Sequence, residues 1–345
     1  CIRDRLAAAG ARAQVPDQIN VFIPAFEAEG ALGQNAATVL NLRVWSTLRS
    51  KPWPENPDNL DFGRGLIIWD PTPLAEGSHD SAEAAAMAFG NLAQMTLWGQ
   101  AYSYGDDVVI QANMSIPEYR DYRDHDLETW KVVYRDRTVT ADIPRRRFEV
   151  SSIVLDRTFV ESYSLPSSLA IYPQRSGGEP VGRVGTAFRA IQFEPDLALV
   201  IADGMRGWVR LPRLSDQPTE VSSFVGGVIR TFRGDWQGAL DLMARVIDNS
   251  NTRTPLRIDA HLYSGMALER MGRSGREHFQ AALELNRYAA RSVRYLAMSH
   301  LSELARLDGN PDAVQPARQR LKALIADNEK LFAADDPWLI AIKAA

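Results

Sequence analysis

From about Thr219 to its end, the 345-residue chain is a run of amphipathic helical stretches separated by short breaks. A stretch of that kind cannot bury its apolar stripe alone, so each must pack on a neighbour. In Phe224–Asn249, small residues stand at Gly227 and Ala239, twelve apart, and Met243 and Val246 follow sixteen and nineteen past Gly227. Gly234-Asp235 reads as the turn between two helices. The small side chains let the helices approach, and the larger ones fill the groove between pairs. A second pair, Leu262–Asn286, places Gly265, Leu268 and Gly272 on its first helix and turn. Phe279, Ala282, Leu283 and Leu285 fall on its second helix, after a turn about two residues shorter. A third pair, Ala289–Leu307 and Pro311–Leu331, is divided by Asp308-Gly309-Asn310-Pro311, and Asp336-Pro337-Trp338 opens a closing helix.

The spacing of the first two pairs resembles that of tetratricopeptide repeats. The resemblance implies a stack of helical hairpins whose concave face holds a protein or peptide. Three pairs with divergent ends are about what a continuous repeat core requires. Arg230 and Tyr263, on the first helices of their pairs, are the candidate partner contacts here. His261, His278 and His300 read as packing or surface residues.

Ahead of this lies an α/β region, 18–117, preceded by an Ala- and Arg-rich tether, 1–17. Ile19–Phe26 reads as a buried strand, and Gly65–Asp70 as a second. Between them Ala36, Val39, Leu40, Val44 and Leu48 make one apolar helical face over Gln34–Arg49. Ser81–Gln94 reads as another helix, with Ser81 as its N-cap and Glu83 in the first turn. Met95–Tyr102 and Val108–Pro117 alternate with the period of a sheet covered on one side, joined by Tyr104-Gly105-Asp106-Asp107. The sequence Leu97-Trp98-Gly99-Gln100-Ala101-Tyr102, then Gly105-Asp106, resembles the amino-terminal domain of TolB and related α/β domains found ahead of tetratricopeptide repeats. The resemblance implies a ligand- or protein-binding module and carries over no catalytic residue.

The middle, 118–214, reads as β-rich. Trp130–Tyr134, Thr138–Ile143, Phe148–Asp156 and Phe159–Tyr163 have strand character, and Ser176-Gly177-Gly178 breaks the chain before further short strands. Gly207-Trp208-Val209 resembles the closing signature of bacterial SH3-like barrels, here over about 180–214. Trp208 is a core residue or a peptide-groove aromatic, and it joins the candidate partner contacts. Arg145-Arg146-Arg147 is the one basic run and reads as the surface of a strand.

The fold class expected is therefore multidomain α+β: an α/β amino-terminal domain, a β-rich SH3-like middle, and an all-α helical-hairpin domain over 219–345. A formal net charge of −4 gives no bias toward nucleic acid, and no run of 18 apolar residues occurs. The single Cys stands at position 1, so no internal disulfide or thiolate metal site can form. Cys1 reads either as a lipid-attachment residue, placing the chain in the periplasm or envelope with membrane anchoring, or as an arbitrary boundary; a cytoplasmic fragment stays open.

No catalytic, cofactor or metal motif emerges. Gly-x-Ser-x-Gly and His-Glu-x-x-His are absent, and Gly63-Arg64-Gly65 follows a loop rather than a strand. Gly77-Ser78-His79-Asp80 sets Ser, His and Asp side by side, where sequence neighbours cannot by themselves take triad geometry. The expectation is a non-enzymatic adaptor or assembly component with a protein or peptide partner. The alternatives are a ligand-binding sensor relaying through the repeats and, third, a hydrolase whose site converges from distant positions.

Overall fold

The computed structural model describes residues 21–29, 32–33, 35–37, 39–40, 67–88, 95–117, 129–162, 170–183, 188–193, 197–202, 204–210, 220–232 and 234–345. Cys1, Val44, Leu48, the 1–17 tether and the Gly63-Arg64-Gly65 segment lie outside them. The chain is mixed α/β with a helical C-terminal region. It divides into two units, the first formed by 1–120 and 146–226, the second by 121–145 and 227–345.

In the first unit, the apolar run at Ile19–Phe26 yields β1 (Val21–Ala25), which pairs in parallel with β2 (Ile67–Pro73) and β3 (Met95–Tyr104). Parallel neighbours need a crossover, and the chain supplies helix at both places. Residues 35–37 and 39–40 are helical between β1 and β2, with Ala36, Val39 and Leu40 fully buried. Helix α1 (His79–Ala88) lies between β2 and β3 and packs on β3 through Ala82 and Ala86. The cap of α1 is Ser78, whose Oγ accepts from the Ser81 amide at 3.2 Å, so the helix starts two residues before the expected Ser81.

Strand β4 (Asp107–Ser115) forms the expected hairpin with β3, turning at Gly105, where φ is 61°. Val108, Ile110, Ala112, Met114 and Ile116 are all buried, as their alternation requires. Two strands, β5 (Thr129–Tyr134) and β6 (Arg137–Asp142), then leave this sheet, and β7 (Arg147–Asp156) returns to pair with β4. The sheet order is β2-β1-β3-β4-β7. The segment after β7, expected as strand, is instead a short helix, α2 (Arg157–Ser162), which buries Val160. Two small sheets follow: β8 (Ala170–Ile171) with β9 (Gly182–Arg183), and a meander of β10 (Phe188–Phe193), β11 (Leu197–Ala202) and β12 (Met205–Arg210). Trp208 exchanges two backbone hydrogen bonds of 2.7 Å with Tyr172. A Cβ at Gly207 would run into Ile171 and the Tyr172 carbonyl, so only glycine permits that bridge.

The helices begin with α3 (Glu220–Phe232) and α4 (Trp236–Asp248). They continue as α5 (Thr254–Arg270), α6 (Arg276–Leu285), α7 (Ala290–Arg306), α8 (Pro311–Asn328) and α9 (Pro337–Ala344). From α4 to α8 each helix packs on the next. The small-residue logic holds in atomic detail. A Cβ on Gly227 would lie 2.8 Å from Met243 Cε, and one on Gly265 would enter the Phe279 ring. The shorter turn of the second pair thus still delivers Phe279 to Gly265. Asp235, Asn310 and Asp336 cap α4, α8 and α9 through their side chains.

The β5–β6 hairpin belongs to the second, helical unit. It is expected from sequence within the β-rich middle, whereas it packs on the helices, chiefly α7 and α9.

Candidate functional site

The hairpin makes the helical unit distinctive, and its sequence explains why it docks. Trp130, Val132, Tyr134, Val139 and Ala141 alternate with the exposed Lys131, Val133 and Thr140 and bury one face. A two-stranded ribbon is unstable by itself, so that face needs cover. Trp130 stacks on Phe279 of α6, with centroids 5.7 Å apart, and lies 6.0 Å from Tyr295 of α7.

The polar contacts are mostly side chain to main chain. Tyr263 Oη donates to the Arg145 carbonyl at 3.2 Å. Tyr295 Oη donates to the Asp142 carbonyl, and the Arg270 guanidinium to the Thr129 carbonyl. Arg318 of α8 donates to Tyr134 Oη at 2.9 Å. Burial pushes the Tyr295 hydroxyl well above its usual range, which keeps it a donor.

Beneath the end of the hairpin lies Asp259 on α5, 1% exposed. Arg145 hydrogen-bonds its Oδ2 at 3.3 Å. Arg291 approaches Oδ1 at 2.9 Å, but off the hydrogen-bonding direction, so that contact is one of charge. Burial raises the Asp259 carboxyl while the two guanidiniums draw it back down. The hairpin is therefore anchored at its base by a charge cluster, along its length by aromatic packing, and near its turn by Arg318.

Of the residues singled out from sequence, Arg230 and Tyr263 are 2% and 0% exposed, so neither meets an outside partner in this arrangement. Arg230 pairs with Asp235, whose Oδ1 also accepts from the Gly238 amide at 3.0 Å, and so fixes the α3–α4 turn. Tyr263 holds the chain's own hairpin. Trp208 is half-buried and lies in the first unit. The basic run is committed residue by residue. Arg145 goes to Asp259, Arg146 to the Pro117 carbonyl, and Arg147 to Asp80 and Glu83.

Two clusters escaped the sequence reading. His261 on α5 and His278 on α6 meet with their Nδ1 atoms 3.1 Å apart. Burial, then the facing imidazole, pushes His261 down to about 4, and burial also lowers His278. In the first unit, Ser115 Oγ lies 2.8 Å from His79 Nδ1 and accepts from Trp98 Nε1 at 2.9 Å. This is the Ser–His proximity a hydrolase would use, but Ser115 is 0% exposed. The trio reads as a polar pin between α1 and the sheet. Among the described residues no group of three or more His, Cys, Asp or Glu could hold a metal ion, and no helix is long and apolar enough to cross a membrane.

No protein-family model, curated protein or solved structure matches this chain.

Proposed function

We propose that the chain is a non-enzymatic protein-binding adaptor whose helical domain, tetratricopeptide-like in its spacing, is a holder of extended peptide. The observation that carries this reading is the grip on the β5–β6 hairpin. Three helix side chains, Tyr263, Arg270 and Tyr295, bind main-chain carbonyls. Bonds of that type recognise an extended backbone, while the Trp130 slot and the Asp259 cluster add side-chain selectivity. In the first unit, the parallel-plus-hairpin sheet is compatible with the TolB-like reading, and the β10–β12 meander with the SH3-like one.

The test uses the full chain with 121–145 replaced by a Gly/Ser linker and a labelled peptide spanning 121–145. Saturable binding by fluorescence anisotropy is expected, weakened by Asp259→Asn. Absence of binding by a variant that keeps its helical circular dichroism would refute the reading. A second reading, a ligand-responsive protein, draws on a different observation: a cavity of about 340 Å³ beside the hairpin turn.

A further inference from the structure

The geometry points to that cavity as a binding site for an amphipathic anion: an aliphatic tail of roughly ten carbons with one carboxylate or phosphate head. Its volume, about 340 Å³, falls at the lower end of ordinary small-molecule sites. The floor is aliphatic, made by Leu304, Leu321, Ile325 and Ile342, which are 1–6% exposed overall. Three helices, α7, α8 and α9, each contribute to it.

The rim is cationic. Arg135, Arg318, Lys322 and Lys343 line it, against Glu329, which pairs with Lys343. Among the charged side chains that line the cavity, cations outnumber anions four to one. Lys322 has no ion-pair partner among the described residues.

The two guanidiniums are placed by one buried ring. Arg135 lies over the face of Tyr134, 5.3 Å from its centroid, and Arg318 donates to the Tyr134 hydroxyl. Arg135 also occupies the left-handed region, with φ at 52°, the one non-glycine residue to do so among those described. A two-residue hairpin turn favours Asn or Gly there. An arginine at such a position is a local cost that a role at the cavity mouth accounts for. A hydrophilic anion would leave the floor unused, and a neutral hydrocarbon would leave the cations unused. An aliphatic chain with an anionic head satisfies both.

Isothermal titration of the intact chain with decanoate and with decyl phosphate, each below its micelle concentration, tests this. Saturable binding of at least one is expected, and preference between them identifies the head group. Lys322→Glu, at an exposed site, should weaken binding about fivefold without lowering the thermal midpoint. Arg135→Gly should also weaken binding while leaving that midpoint equal or higher, because glycine suits the turn. Absence of saturable binding to either anion overturns the proposal, as does binding unchanged in both variants. Equal binding of inorganic phosphate overturns the tail, and equal binding of decyltrimethylammonium overturns the head. None of these outcomes depends on whether the hairpin face accepts peptide in trans.

Discussion

At the scale of single residues, the helical unit is organised by buried polar groups that look inward. Asp259, Arg230 and Glu269 each tie two or more segments together. Glu269 Oε1, for example, accepts from the Gly275 amide at 2.9 Å and the Ser299 hydroxyl at 2.6 Å. The His261–His278 contact is the exception, because its state depends on pH. At neutral pH both rings are uncharged and one donates to the other. Arg257 on the same helix opposes protonation of His261, while Asp248 favours it and Glu277 favours protonation of His278. The folded pKa of His261 lies below its unfolded value, so the unfolded chain binds more protons between about 6.5 and 4. Stability contributed by the pair is therefore full above pH 6.5 and is lost as pH falls toward 4. The rings are partly exposed, so solvent screening limits the effect to about 1 kcal/mol. Urea midpoints of wild type and His261→Gln at pH 7.5 and 5 check this: the wild type should lose more on acidification, and parallel losses would contradict it.

At the scale of elements, the decisive packing event is the hairpin on the helices. Trp130→Ala removes a buried indole from between Phe279 and Tyr295 and should cost about 3–4 kcal/mol in chemical denaturation, with the helical content kept below the transition. A loss under about 1 kcal/mol would mean the ribbon docks without its aromatic anchor. Much of this element structure was legible in sequence. Alternation gave β3 and β4, strand character gave β5 and β6, and the spacing of Gly227, Met243, Gly265 and Phe279 gave the helix pairs, because each signal is local. The destination of β5–β6 was not legible. The period of two says that Trp130, Val132 and Tyr134 share a face, but says nothing about which distant surface covers it. The same limit hid the His79–Ser115 and His261–His278 contacts, which join residues 36 and 17 apart. It also made Tyr263 look like an outward-facing binding residue when its ligand is the chain's own carbonyl. The helix α2 was missed for another reason: Phe159 and Val160 are good strand formers by type, and local context overrode propensity.

At the scale of the whole molecule, the second unit is assembled from two stretches of sequence, 121–145 and 227–345. Native-state hydrogen exchange should report this directly. The amides of Val132 and Val139 should exchange through the same opening as those of α5 and α7, with matching free energies. Much earlier exchange of the ribbon would make it an accessory instead of a structural part. The same arrangement bears on how the chain is made. Tyr263, Tyr295 and Arg318 lie 118, 153 and 184 residues beyond the hairpin groups they bind. As the polypeptide leaves the ribosome, the Trp130 face emerges well before any helix able to cover it, and for that interval it is an adhesive surface. Truncating the gene at Thr219 would make the exposure permanent, and the severed helices would carry the complementary uncovered face. Such truncations belong with companion segments co-expressed in the same cell, where 121–145 can be supplied from a second message.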